Sequence, residues 1–124
     1  MTRRLELGLP WPPTANHIWK RGNRRTYLTA KGNQWYTAAV ESIHDQLCSS
    51  WPVVCEERVR VSIRLHPPNR RKWDIDNRTK CVLDALTRAG VWLDDEQVDE
   101  LHLTRCSLDP NRQGFALVTV EVLP

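Results

Sequence analysis

The chain has 124 residues, of which 40% are hydrophobic and 27% charged, with a formal net charge of +3. That length fits one domain over residues 1–124, the composition is that of a folded globular protein, and no apolar run approaches the ~20 residues of a membrane span. The start, Met1-Thr2-Arg3-Arg4, leads into a short alternating stretch rather than a secretory signal, so the expected location is the cytoplasm, with no membrane partner.

Arg4 to Leu9 places Leu5, Leu7 and Leu9 against Arg4, Glu6 and Gly8, the period of a strand. Pro10-Trp11-Pro12-Pro13 ends it, because proline has no ladder donor. Thr14 to Leu28 reads as a basic loop. From Ala30 to Leu47, Trp35, Ala39, Ile43 and Leu47 recur every fourth residue, an amphipathic helix with Thr29 as its N-cap. Arg58 to Leu65 is the clearest strand, with Val59, Val61, Ile63 and Leu65 on one face and Arg58, Arg60, Ser62 and Arg64 on the other. The arginine face either lies against phosphates or is solvated. After Pro67-Pro68, Asp76 to Ala89 reads as a second helix with Val82, Leu83, Leu86 and Ala89 inward, stopped by Gly90. Glu100 to Cys106 and Phe115 to Leu123 complete the pattern as two strands joined as a hairpin through a Pro-Asn-Arg-Gln-Gly turn. The order β-α-β-α-β-β predicts an α+β fold, a single mixed sheet of about four strands with two main helices.

Charge is unevenly placed. Residues 94–100 hold Asp94, Asp95, Glu96, Asp99 and Glu100 with no Lys or Arg, which leaves +8 on the other 117 residues. Two basic clusters stand out: Lys20, Arg21, Arg24, Arg25 and Lys31, then Arg70, Arg71 and Lys72. A basic surface with one acidic spot suits a polyanion and a metal centre, or else solvated loops and one acidic turn. Cys48, Cys55, Cys81 and Cys106 have no CxxC spacing and His17, His44, His66 and His102 are scattered, so a zinc framework is not expected and the thiols read as reduced core residues.

The informative segment is Arg70 to Val98, RRKWDIDNRTKCVLDALTRAGVWLDDEQV. In an extended chain Asp74 and Asp76 point to one side, ~6.6 Å apart at their alpha carbons, and can share a hard cation such as Mg²⁺. Equally, either aspartate can N-cap the second helix. Asp76, Lys80 and Asp84 fall at i, i+4 and i+8 on one helix face. There Lys80 either offsets charge on a phosphoryl oxygen or forms an ordinary helix pair with Asp76. Five acids crowded near two others call for a counterion, and a divalent metal is the simplest. A 14-residue helix is ~21 Å long and six residues from Ala89 to Asp95 span at most ~20 Å, so Asp95 reaches the first two carboxylates only if the chain doubles back along the helix. Otherwise it serves another site, across a dimer contact.

At these residues the sequence resembles the RusA family of Holliday-junction resolvases. The matching pieces are Leu9-Pro10-Trp11-Pro12-Pro13, Asn16, Asp74-Ile75-Asp76-Asn77, Lys80, Asp84-Ala85-Leu86, Gly90, and Trp92-Leu93-Asp94-Asp95 with Gln97-Val98. The resemblance implies a homodimeric, Mg²⁺-dependent endonuclease, with Mn²⁺ as a substitute, that cuts branched DNA at four-way junctions and is often carried by phages or prophages. It implies Asp74, Asp76 and Asp95 as metal ligands and catalytic residues and Lys80 as their basic partner, with Asn77, Asp84 and Asp94 as accessory positions. Lys20, Arg21, Arg24, Arg25, Arg70, Arg71 and Lys72 are then the expected grips on DNA phosphates. Trp11, Trp73 or Trp92 can wedge into an unstacked junction, although six tryptophans also serve as core anchors. Two other classes remain open: a non-catalytic DNA-junction-binding protein, and a Mg²⁺-dependent phosphatase or nucleotide hydrolase, which needs a closed pocket.

Overall fold

The computed structural model describes residues 3–14, 19–22, 26–47, 51–52 and 55–124. Side chains at 19–20 and 26–27 also stand outside that description, as do Asn16, His17, Arg24, Arg25 and Cys48.

Four strands form one mixed sheet: β1 (Arg4–Pro10), β4 (Val59–His66), β5 (Val98–Arg105) and β6 (Phe115–Val122), in the order β1-β6-β4-β5. β6 runs antiparallel to both β1 and β4, while β4 and β5 are parallel. Two helices accompany it, α1 (Ala30–Gln46) and α2 (Thr79–Arg88). The expected α+β sheet of four strands and two helices is therefore the one observed.

The alternation in each strand sets the core. Leu7, Val118, Ile63 and Leu103 stand side by side across the sheet, and Leu5, Val120 and Val61 form the next row. With Tyr36, Ala39 and Ile43 of α1 and Val82, Ala85 and Leu86 of α2 they make one buried cluster. The opposite rows are polar, with Arg4, Glu121, Arg60 and Glu100 alternating in charge from strand to strand. Thr29 caps α1 as expected, its hydroxyl accepting from Gly32 N at 3.0 Å.

Two connections differ from the sequence reading. Part of the basic loop is a small antiparallel pair, β2 (Trp19–Arg21) with β3 (Thr26–Leu28). Strands β5 and β6 are not a hairpin, because β4 lies between them. Their nine-residue connection, 106–114, passes the end of β4, held by Cys106 N to Leu65 O at 2.8 Å and Asp109 N to Pro67 O at 2.9 Å. Hairpin loops run ~2–5 residues, so this length already argues for a crossing. Among the described residues no helix is long and apolar enough to cross a membrane.

Candidate active site and nucleic-acid interface

Asp74, Asp76, Asn77, Lys80, Asp84, Asp94 and Asp95 all lie on the β4-α2-β5 crossover. After β4 the chain runs irregularly to Asp74 and then turns over residues 75–78. Asn77 N donates to Asp74 O at 3.3 Å, Asn77 Nδ2 to Asp74 Oδ2 at 3.4 Å, and Thr79 N to Asp76 O at 3.4 Å. These local bonds compete with helix and delay it, so α2 begins at Thr79 rather than Asp76. Arg78 is its N-cap residue and supplies no side-chain cap. Neither Asp74 nor Asp76 caps the helix, and the extended, same-side arrangement expected for them gives way to the turn. Both are exposed, and the Asp76 carboxylate makes no hydrogen bond or ion pair among the described residues. Ile75 between them packs against the core and anchors the turn.

Lys80 stands one turn further on. Its ammonium meets Asp84 Oδ1 at 2.8 Å and Asp95 Oδ2 at 3.1 Å. The expected Asp76–Lys80 helix pair is absent because Asp76 precedes the helix. The hydrogen bonds to Asp84 and then Asp95 hold Lys80 protonated above the usual lysine range. Asp84 Oδ2 accepts from the Tyr36 hydroxyl at 3.2 Å, which ties the pair to α1. Burial first, then the charge of Asp84, pushes the Tyr36 phenol well up.

Asp95 arrives by a tight return. Gly90, at φ +81°, closes α2 with Gly90 N to Thr87 O at 3.1 Å and Val91 N to Leu86 O at 3.0 Å, the paired bonds of a Schellman motif. Trp92, 1% exposed, donates from Nε1 to Thr87 Oγ1 at 2.7 Å, so the returning chain lies along the helix. Asp94 then caps a short 3₁₀ turn (Asp95–Gln97), accepting from Glu96 N at 3.0 Å, which lowers its pKa. Gln97 completes a capping box and, itself 6% exposed, donates to Cys55 O at 3.0 Å and Glu57 O at 2.9 Å. The chain thus doubles back along α2 after Gly90. It brings Asp95 to Lys80 and Asp84. Among the described residues no three His, Cys, Asp or Glu side chains stand close enough together to hold a metal ion.

The rest of the acidic run has protein counterions. Arg58 meets Asp99 at 2.6 Å and Glu96 at 3.0 Å, and Arg60 meets Glu100 at 3.0 Å and Glu121 at 3.5 Å. A metal is therefore not required to balance those acids. The same pairs occupy Arg58 and Arg60, two of the arginines that were candidates for phosphates.

The expected basic residues are exposed where their side chains are described. Arg70, Arg71 and Lys72 are exposed immediately before Trp73 and Asp74, and Arg21 is exposed on the small hairpin that also carries Lys20. Arg24 and Arg25 fall outside the described residues. Trp92 is a core residue and cannot wedge into DNA, whereas Trp11 and Trp73 are half-buried, their ring centres 5.3 Å apart. Cys55 and Cys81 are buried free thiols, as expected of core residues.

Three contributors escaped the sequence reading. Tyr36 is 48 residues from Asp84, and no spacing announces that contact. Arg78 lies over Trp11, 4.7 Å from the ring centre, and donates to Pro12 O. Gln97, quoted only as part of a motif, was legible as the fourth residue of an Asp-x-x-Gln capping box.

The family described as Endodeoxyribonuclease RusA matches residues 10–121, nearly the whole chain and all the side chains of the site. Relatives named crossover junction endodeoxyribonuclease RusA, from Shigella sonnei and from Escherichia coli K12, are 34% identical over 99 residues, 80% of this chain and 80% of theirs. A protein of the same name from Enterobacteria phage 82 matches to the same extent. The chain belongs to the RusA family of endodeoxyribonucleases.

Proposed function

We propose that this chain is a crossover-junction endodeoxyribonuclease: it binds four-way branched DNA and hydrolyses phosphodiesters at the junction in a divalent-metal-dependent reaction, working in the cytoplasm as a homodimer of one-domain subunits spanning residues 1–124. Asp74, Asp76 and Asp95 are its metal-binding carboxylates and Lys80 its catalytic cation. One observation carries the assignment of roles. Lys80 bridges Asp84 and Asp95 beside a turn whose two aspartates are exposed and cap no helix, the Asp76 carboxylate having no hydrogen bond or ion pair among the described residues.

The donor set matches a hard cation in kind, being exposed or half-buried carboxylate oxygens with no thiol or imidazole among them. A bound Mg²⁺, or Mn²⁺ in its place, supplies Lewis-acid stabilisation and a water acidified for attack. The protein's own part is electrostatic and positional. Lys80, held protonated, presents positive charge where a phosphoryl oxygen gains negative charge. Asp84, steadied by Tyr36, orients that ammonium. The capping box and Gln97 fix the direction of Asp95. Arg70, Arg71 and Lys72 hold flanking phosphates and orient the duplex without reading sequence. A four-way junction has a pseudo-twofold axis, and a two-subunit enzyme places one site on each of two strands.

The test is nicking of a synthetic four-way junction with and without Mg²⁺. Wild-type protein should cut only with the metal, and Asp74→Asn should bind normally and not cut. Wild-type protein that binds but never cuts under Mg²⁺ or Mn²⁺ would make it a junction-binding module instead.

A further inference from the structure

Beside the carboxylates lies a cleft of about 710 Å³ that the hydrolytic chemistry leaves unused. Its walls set three indoles, Trp11, Trp35 and Trp73, among four cations, Lys31, Arg71, Lys72 and Arg78. The volume falls in the about 300–1,000 Å³ range of sites for a single small ligand, far too small for a duplex.

The walls are fixed in place. Trp11 and Trp73 meet edge to face, and the Arg105 guanidinium covers one side of Trp73 at 3.9 Å while donating to Trp73 O at 2.9 Å. Trp35 Nε1 donates to Pro10 O at 3.3 Å. Gly114 seats Trp11 so closely that a Cβ there would come within 3.0 Å of the Trp11 Cβ and Cγ. Arg78 is half-buried, and its Nε is buried with no hydrogen-bond partner among the described residues.

Aromatic rings interleaved with cations are what single-stranded nucleic acid recognises, bases on the rings and phosphates on the cations. Position links the cleft to the chemistry, since Trp73 directly precedes Asp74. We propose that the cleft receives one unpaired nucleotide extruded at the branch point, its base against the indoles with Trp73 foremost and its phosphate on Arg71 and Lys72. The neighbouring phosphodiester is then anchored at the Asp74–Asp76 turn. Selection of a branched over a continuous duplex follows, because only an interrupted stack releases a base at low cost. This inference rests on the junction-cutting function proposed above.

The experiment walks a single abasic site through the nucleotides around the crossover of a four-way junction and measures affinity without divalent metal, so that nothing is cut. Wild-type protein should lose affinity about fivefold to a hundredfold at one or two positions next to the cut and little elsewhere. Trp73→Phe should keep that profile. Trp73→Ala should bind the intact junction more weakly and show no dependence on abasic position. An even wild-type profile, or one that Trp73→Ala leaves unchanged, overturns the nucleotide pocket; it leaves the proposed function standing if wild-type protein still nicks the intact junction with Mg²⁺. The even profile is decisive even if Trp73→Ala fails to fold. Wild-type protein that neither binds nor cuts the junction sinks the function and the pocket together.

Discussion

Lys80 is the residue on which structure and chemistry can be separated. Its side chain is 66% exposed, so its two ion pairs add at most ~1 kcal/mol to folding. Its proposed electrostatic role at a phosphoryl oxygen is far larger, and loss of such a group costs roughly 10²–10³ in rate. Lys80→Ala should therefore cut at least ~100-fold more slowly under single-turnover conditions while its denaturation midpoint hardly moves. Equal losses in both would make the lysine structural. The pH dependence of stability has a definite sign. Tyr36 and Lys80 both have folded-state pKa values above their ordinary ones, so both stabilise the fold fully below about pH 10 and lose that contribution as pH climbs through the raised values. Thermal stability should fall above about pH 10, and Tyr36→Phe should fall less steeply. At this scale the sequence is legible where partners are local. Asp94 and Gln97 sit at capping-box spacing, whereas Tyr36–Asp84 and Arg58–Asp99 join residues more than 40 positions apart.

Individual elements followed from periodicity, and the exceptions have local causes. The alternation of β1, β4 and β6 matches their burial, because each presents one face to a single core. Strand β5 is half-buried at best, an edge strand paired only with β4, and its pattern carried less information. The late start of α2 comes from the turn over residues 75–78, closed by the backbone bonds Asn77 N to Asp74 O and Thr79 N to Asp76 O. Its C-terminus was readable because Gly90 adopts the left-handed conformation that a Schellman motif requires. Leu86, fully buried on α2, contributes to the core directly, and Leu86→Ala should cost ~2–5 kcal/mol in denaturant unfolding. Gly114 tests the 106–114 crossing. At φ +78°, with Pro68 and Trp11 against it, it has no room for a side chain. Gly114→Ala should lose ~1–3 kcal/mol and weaken junction binding by displacing Trp11, whereas an alanine variant as stable as wild type would contradict the packing described. Within that crossing the Asp109 carboxylate accepts backbone N–H bonds from Asn111, Gln113 and Gly114, which lowers its pKa. Its stabilising effect is present above about pH 4 and disappears as acid protonates it.

For the whole molecule, charge is partitioned rather than merely positive. Arg58 and Arg60 are absorbed by the acidic run, while Arg70, Arg71, Lys72 and Lys31 remain exposed around the cleft. If those four neutralise phosphates, the logarithm of junction affinity should fall against the logarithm of salt with a slope of about −3.5. A flat salt dependence would contradict the assignment. Composition indicated the polyanion but not this partition, because ion pairing across strands depends on register. The candidate site was legible as a residue set, through the Asp74–Asp76 pair, Lys80 and Asp95. Its geometry was not, since the return of Asp95 to Lys80 depends on the Schellman reversal and on Trp92 packing along α2.

Carboxylates distant in sequence are proposed to bind the divalent ion of a nuclease. Crystals grown with Mn²⁺ and measured for anomalous scattering test it most directly. A peak is expected within ~2.0–2.3 Å of carboxylate oxygens from Asp74, Asp76 and Asp95, with Lys80 still beside Asp84. Mn²⁺ bound elsewhere in protein that cuts junctions, with Asp95 still held on Lys80, would contradict it.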